Sequence, residues 1–138
     1  MICAKVWLSM AITKSKLSRM FTQINCDKFQ EIIGMRCNAL GEAVEVITPF
    51  TFADGNAFEV FAQSRGDVVH FFDDGFTLLH LHSAGIDLGA DKKRWKPLKK
   101  IAEDHGVTLS DKGVFEVFSP LPSASQGFAQ FISTLLSV

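Results

Sequence analysis

Two adjacent carboxylates and two histidines fall within ten residues of this sequence, in the stretch FFDDGFTLLHLHSAG at positions 71–85. Paired carboxylates can serve as general acid and general base when their surroundings drive the two pKa values apart. Imidazoles can also join carboxylates around a divalent metal. Asp73, Asp74 and His80 or His82 are therefore the candidates for catalysis, in a small metal-dependent nuclease or hydrolase.

The same stretch also fits a purely structural role. Asp-Gly is a strong turn signal, because glycine adopts positive φ freely and the aspartate can hydrogen-bond back to the main chain. This explains Asp74 without any chemistry, and Asp73 either caps the following turn or lies in solvent. We therefore assign no catalytic residue from the sequence.

Whether His80 and His82 can share a metal depends on the local secondary structure. On a strand, side chains two positions apart point to the same face. On a helix they lie about 200° apart, given about 100° per residue, and cannot hold one ion. A third ligand would have to come from His70, Asp73 or Asp74. We assign neither a metal nor a cofactor.

The other catalytic patterns are poorly matched. Some nuclease cores place an acid at a strand end and a D/E-x-K motif on the next strand, and the nearest match is Asp91-x-Lys93, in a charged segment rather than an apolar strand. Cys3, Cys26 and Cys37 fit neither a disulfide framework nor a zinc site. We expect reduced thiols in a reducing cytoplasm.

A basic cluster is the main candidate for binding. It holds six positive charges within nine residues, with an aromatic ring among them, at Lys92, Lys93, Arg94, Trp95, Lys96, Lys99 and Lys100. Such a cluster can follow a phosphate backbone while the ring stacks on a base, or it can dock an acidic protein surface. It can also be a solvated helix face whose lysine stems cover apolar surface.

Length and composition set the broad class. The chain has 138 residues, 47 % of them hydrophobic and 21 % charged, with thirteen phenylalanines and a net charge of −1. This composition predicts one globular domain with a sizeable core, and with a surplus of phenylalanine that is available to a partner surface. The charge gives no general reason to expect nucleic acid or an anionic membrane, and no apolar run approaches the roughly 20 residues that span a bilayer.

The hydrophobic pattern changes along the chain. Residues 1–24 carry four basic residues and no acid, and we interpret them as an N-terminal arm before a single domain at 25–138. A short helix at 28–33, capped by Asn25 or Asp27, should end at Gly34. Alternating segments at 42–52, 57–63 and 68–72 then predict an antiparallel meander.

The second half predicts two helices around a hairpin. Residues 76–81 fit either a fourth strand or a short helix. A helix over 91–105 either begins near Lys96, with Pro97 in its first turn, or kinks there. Segments 107–109 and 114–118 flank a turn, and a last helix begins at Ser123 or Ser125 with its apolar face at Phe128, Phe131, Ile132, Leu135 and Leu136.

The predicted fold class is α+β. We expect an antiparallel sheet, made of a meander of three to four strands plus a hairpin, with two or three helices packed mainly on one face. The other face, or an edge near Pro49, would then be open to a partner or to a second copy.

Several short motifs occur in an order that resembles a known family. They are Thr48-Pro49-Phe50, Asp73-Asp74-Gly75, Thr77-Leu78, Leu81 and Gly85-Ile86-Asp87. In this order they resemble the bacterial and phage family called domain of unknown function 1828, over about residues 25–138. Phe72 and Pro97 depart from the family pattern. The resemblance implies a fold order and a bacterial, phage or mobile-element setting, but no activity. It also favours a helix after Gly75, with Thr77 as its cap.

These observations favour a non-enzymatic interaction module over an enzyme. We expect a protein partner, no membrane and a cytoplasmic location, with a homodimer as a further option. An inhibitor of host defence or counter-defence is the most concrete version, by analogy with small phage proteins of this size. The alternatives are a metal-dependent nuclease or hydrolase that uses Asp73 and Asp74, and a nucleic-acid-binding protein that uses the basic cluster.

Overall fold

The computed structural model describes residues 25–86 and 92–138, without the side chain of Lys92. Within these residues the chain forms four α-helices and one six-stranded sheet. The elements are α1 Cys26–Ile33, β1 Arg36–Leu40, β2 Ala43–Ile47, β3 Val60–Arg65, β4 Val68–Phe72, α2 Phe76–Ser83, α3 Lys96–Asp104, β5 Thr108–Leu109, β6 Phe115–Pro120 and α4 Ala124–Ser137. Short 3-10 turns at Lys92–Trp95 and Leu121–Ser123 precede α3 and α4.

The fold is α+β, as the sequence predicts. The sheet order is β1-β2-β3-β4-β6-β5, and every neighbouring pair is antiparallel. The three-strand meander β2-β3-β4 is confirmed, and so is the β5-β6 hairpin. There are four described helices rather than two or three, because the segment after Gly75 is helical and not a fourth strand.

Strand β1 is missing from the prediction. Its sequence, RCNAL, buries only Cys37, so it lacks the alternation that marks a half-buried strand. The strand predicted over 42–52 is shorter than expected and ends at Ile47. The chain then makes a small excursion, held by an isolated bridge between Thr51 and Ala57, before it enters β3.

Helices α1 and α3 begin and end where local signals place them. The Asn25 side chain accepts a hydrogen bond from the Lys28 amide at 2.9 Å, and Gly34 ends α1 with φ 72°. Helix α3 begins at Lys96 with Pro97 in its first turn, where the missing N–H of proline has no helical partner to lose. These features confirm Asn25 as the cap and the shorter version of the 91–105 helix.

The core lies between one face of the sheet and helices α1, α3 and α4. Phe29 of α1, Phe71 of β4, Phe115 of β6 and Phe131 of α4 are all fully buried there. Each such side chain stabilises the fold by about 1.5–3 kcal/mol relative to an exposed one. Leu136, expected on the apolar face of α4, is instead 54 % exposed.

Helix α4 approaches the sheet closely at one glycine. A Cβ atom added to Gly127 would lie 2.6 Å from both Cβ and Oγ of Ser119 on β6. Two small residues therefore let the helix backbone sit directly on the strand.

Candidate functional site

Asp73, the first of the paired carboxylates, is a buried structural acceptor at the end of β4. Its side chain is 0 % exposed. Oδ1 accepts from the amides of Gly75 and Phe115, both at 3.0 Å, and Oδ2 accepts from the Thr77 amide at 3.1 Å. Burial raises the pKa of Asp73, whereas these amides and the Thr77 hydroxyl oppose that rise. The carboxylate joins the β4 end, the start of α2 and the start of β6.

Asp74 is part of the turn itself. It is exposed and has φ 54°, and Gly75 follows with φ 85°, while the Phe76 amide donates to the Asp73 carbonyl at 3.1 Å. Two successive positive φ values are those of a type I′ turn, which aspartate and glycine tolerate best. The expected cap, Thr77, is wrong: α2 has no side-chain cap at Gly75, and the Asp73 carboxylate satisfies the Thr77 amide instead.

The two histidines of the opening stretch lie on α2 and point apart. His80 stacks on Phe52 with ring centroids 3.9 Å apart, and its Nε2 lies 3.5 Å from Oδ2 of Asp54. His82 is exposed. The shared-metal arrangement required a strand here, and the helix removes it. Over the described residues no group of three or more histidine, cysteine, aspartate or glutamate side chains could hold a metal ion.

Two of the remaining candidates are the D-x-K pattern and the thiols. Asp91 lies outside the described residues, and Lys93 is exposed in a 3-10 turn. Cys26 and Cys37 are free thiols on α1 and β1. Burial raises the pKa of Cys37 to about 12, with further contributions from the charge of Cys26 and a hydrogen bond with its side chain. A thiol held protonated in this way is a poor nucleophile.

The structure divides the basic cluster. Lys99 pairs with Asp111 at 3.3 Å, and Lys100 pairs with Asp104 at 2.6 Å. The Trp95 ring packs against the core and lies 3.5 Å from the position of a Cβ on Gly113. Lys93, Arg94 and Lys96 are exposed. The ring is therefore held by the protein, and two of the cations are offset by acids.

The sequence predicts an uncovered face of the sheet, here the face opposite the core, but it does not identify the residues that form this face. We call it the open face, defined by Glu45, Phe61, His70, Phe72, Glu116 and Phe118. Helices α1, α3 and α4 contribute their buried side chains to the other side of the sheet. In the described part of the chain, no α-helix lies across the open face, and Phe76, at the start of α2, contacts Phe61 at its end.

A continuous row of rings runs across the open face. Phe61 contacts Phe76 and Phe72 with centroids 6.1 Å and 5.6 Å apart. The His70 ring then stacks on Phe72 at 4.7 Å and on Phe118 at 4.2 Å, nearly parallel to the latter. The two ends of the row are the most accessible, because Phe76 is 40 % and Phe118 57 % exposed.

Carboxylates flank these rings. The strand register places Glu45, Phe61, Phe72 and Glu116 directly opposite one another on β2, β3, β4 and β6. Glu116 Oε1 lies 2.8 Å from His70 Nε2. Beside Glu45, burial raises the pKa of Glu59, and the Glu45 carboxylate raises it further through its charge and a shared hydrogen bond.

One signal in the sequence could have revealed the aromatic residues of this face. In β3, Phe61 is on the same side as the polar residues of the strand. In β4 and β6, Phe72 and Phe118 are on the side that faces away from the core. These three strands therefore carry apolar residues on both sides. In an antiparallel strand with water on one side, apolar and polar residues instead alternate along the sequence. The register that lines these positions up, however, depends on tertiary pairing.

None of the described helices has the length and apolarity needed to cross a membrane. No curated protein and no solved structure matches the chain. A family model does match residues 48–138, about two thirds of the chain, and its description is Domain of unknown function DUF1828. The match begins later than the resemblance suggested, after β2, and it contains the Asp73–Gly75 turn and the strands that carry the row of rings. The chain therefore belongs to the DUF1828 family.

Proposed function

We propose that this protein is a non-enzymatic interaction module that binds a partner protein through the open face. One observation carries the proposal: a sheet face with no described helix across it holds a row of contacting aromatic rings whose end, Phe118, is 57 % exposed. Exposed apolar surface of this kind marks interaction sites. Aromatic rings also supply much of the binding energy at protein interfaces.

The setting that we propose is the cytoplasm of a bacterium, or a phage or mobile element within it. The family resemblance supports the bacterial or phage origin, and the three cysteines support a reducing compartment because they fit no disulfide framework. Within that setting the module would act by occupying its partner's surface, as an inhibitor in host defence or counter-defence.

The enzymatic alternative receives no support from the geometry. A general acid or base must reach a substrate proton, and the Asp73 carboxylate is buried and engaged by three backbone amides. The His80 ring stacks on Phe52 and contacts the Asp54 carboxylate. For nucleic acid, the packed Trp95 ring and the paired Lys99 and Lys100 weigh against base stacking and phosphate contact at the basic cluster.

The test is affinity capture from the native host with three forms of the full chain: wild type, Phe118→Ala and Leu136→Ala. Leu136 is 54 % exposed, which is close to the exposure of Phe118, and it lies on α4, away from the open face. Both substitutions should change stability by less than about 1 kcal/mol, because neither side chain is buried. Thermal unfolding checks this before capture.

The proposal predicts one stoichiometric protein that survives nuclease treatment, is retained by Leu136→Ala and is lost with Phe118→Ala. A partner that Phe118→Ala retains in full would place the binding site elsewhere. Recovery of nucleic acid alone, lost after nuclease and after Lys93→Glu/Lys96→Glu, would replace the proposal with nucleic-acid binding.

A further inference from the structure

The open face has a charge pattern as well as an apolar one. Glu45 and Glu116 stand at opposite ends of a four-residue line across the sheet, with Phe61 and Phe72 between them. They are three strands apart, which corresponds to about 14 Å at the usual strand spacing. A ligand that crosses the strands would therefore meet an acid, two aromatic rings and a second acid in turn.

Among the residues that the structure describes, the acids on the β2 side pair with no cation. The strand register pairs Glu45 with Phe61, two residues after Glu59, so Glu45 and Glu59 are diagonal neighbours on the open face. Consistent with this, burial and the Glu45 carboxylate raise the pKa of Glu59. Two half-buried carboxylates beside each other repel, and a cation between them removes the repulsion. At the other end, Glu116 contacts His70 through Oε1.

The arginines that share this side of the sheet lie at its margins. By the strand register, Arg36 is on the edge strand β1, opposite Ile47. Arg65 is the last residue of β3 and donates through Nη2 to Gln63 Oε1 at 3.3 Å. The centre of the open face is therefore acidic and aromatic.

This pattern separates two kinds of ligand that aromatic sheet faces bind. Single-stranded RNA stacks its bases on such rings but also needs cations for its phosphates. Carboxylates on both sides of the rings repel phosphates. An arginine or lysine side chain, in contrast, is attracted both to the face of an aromatic ring and to a carboxylate.

We propose that the open face binds a protein segment with two basic side chains separated by apolar ones. One basic side chain would reach Glu45 and Glu59, and the other would reach Glu116. In an extended segment, about 14 Å corresponds to roughly four residues at about 3.3 Å each. This inference rests on the proposed function, since it assumes that a protein binds at this face.

The experiment is a selection of random 16-residue peptides, displayed on phage, against the immobilised full chain. The proposal predicts enriched sequences in which two arginine or lysine residues lie three to five positions apart with apolar residues between them. The strongest binder is then synthesised with a fluorescent label, and its affinity is measured by polarisation. Enriched peptides that are acidic or uncharged would overturn the assignment.

Charge-neutral variants test the two ends of the line. Glu45→Gln/Glu116→Gln should weaken the binding of the labelled peptide about tenfold, because the variant loses both of the proposed ion pairs with partly exposed carboxylates. The control, Glu31→Gln/Glu103→Gln, neutralises two exposed acids on α1 and α3 and should leave the affinity unchanged. Raising the salt concentration should weaken the wild-type complex and affect the neutralised variant less.

The Phe118→Ala variant separates this inference from the proposed function. If Phe118→Ala abolishes binding while Glu45→Gln/Glu116→Gln leaves it intact, the open face binds peptides but the charge assignment is wrong. If neither variant changes the affinity, or if no peptide is enriched, both proposals fail. If the wild type binds a labelled single-stranded RNA and Phe118→Ala does not, the open face binds nucleic acid and the assignment is overturned. If the wild type is a dimer and Phe118→Ala is a monomer, the open face binds a second copy and the assignment is overturned as well.

Discussion

Asp73 is the residue whose interpretation differs most between the sequence and the structure. Together with Asp74 it resembles a catalytic pair of carboxylates, yet the Asp73 carboxylate accepts hydrogen bonds from three backbone amides, one in the turn before α2, one in α2 and one in β6. The turn chemistry of Asp74 and Gly75 is readable from the sequence because it is local. The amide of Phe115 lies 42 residues away, so no local pattern could reveal that contact.

The Asp73→Asn substitution should therefore destabilise the fold. An amide NH₂ in place of one carboxylate oxygen faces backbone donors and leaves at least one buried N–H without an acceptor. We expect the free energy of unfolding to fall by about 3 kcal/mol. Asp74→Asn is the control and should change it by less than about 0.5 kcal/mol, because asparagine tolerates the left-handed conformation at this exposed site. Chemical denaturation of both variants measures this, and equal effects would contradict the role given to Asp73.

Cys37 makes a second prediction for a single side chain. Burial and the neighbouring Cys26 raise its pKa to about 12 in the folded protein, whereas an unfolded thiol ionises near pH 8.5. Above pH 8.5 the unfolded chain therefore gains a thiolate that the folded chain does not, and stability falls as pH rises towards 12.

The Cys37→Ala variant should show a shallower loss of stability with pH. Between pH 8 and pH 10 we expect the wild type to lose on the order of 1 kcal/mol more than the variant. Urea unfolding at each pH, with a reductant present, measures the difference. Identical pH dependence in the two proteins would show that the Cys37 thiol ionises as readily in the fold as in the unfolded chain.

The packing of α4 on β6 depends on a pair of small residues, Gly127 and Ser119. Glycine inside a helix normally costs about 1 kcal/mol relative to alanine, so Gly127→Ala would stabilise an isolated helix. Here the added methyl group would lie 2.6 Å from Ser119. We expect Gly127→Ala to lower the free energy of unfolding by about 1–3 kcal/mol.

The neighbouring Gln126→Ala is the control for this prediction. Gln126 is exposed on the same helix, so its replacement should leave stability unchanged or raise it slightly. Thermal unfolding compares the two variants. A Gly127→Ala protein as stable as the wild type would mean that the helix is not held against Ser119.

Elements with strong local signals could be predicted, and those without them could not. Strand β4 matches its predicted range of 68–72, and α1 and α3 follow from their caps and from Pro97. Strand β1 was missed because it is an edge strand that buries only Cys37. The helix after Gly75 was ambiguous because its apolar residues face several directions, and only the family resemblance favoured it.

The open face forms only when the chain folds and its strands pair. Phe61, Phe72 and Phe118 come from three strands, and antiparallel pairing with β4 at the centre brings them side by side. The sequence indicates a surplus of phenylalanine and a sheet with helices mainly on one face. It cannot indicate that Glu45 and Glu116 fall on one line with the rings, because each register depends on its neighbours.

The most direct test of partner binding at the open face is photo-crosslinking in the host cell. The photoreactive amino acid p-benzoylphenylalanine replaces Phe118 in one strain and Leu136 in another, and both proteins are irradiated in living cells. We predict a covalent adduct between the chain and one partner protein from position 118, and none from position 136. An adduct from position 136 alone, or none from position 118, would contradict the claim that the open face is the binding surface.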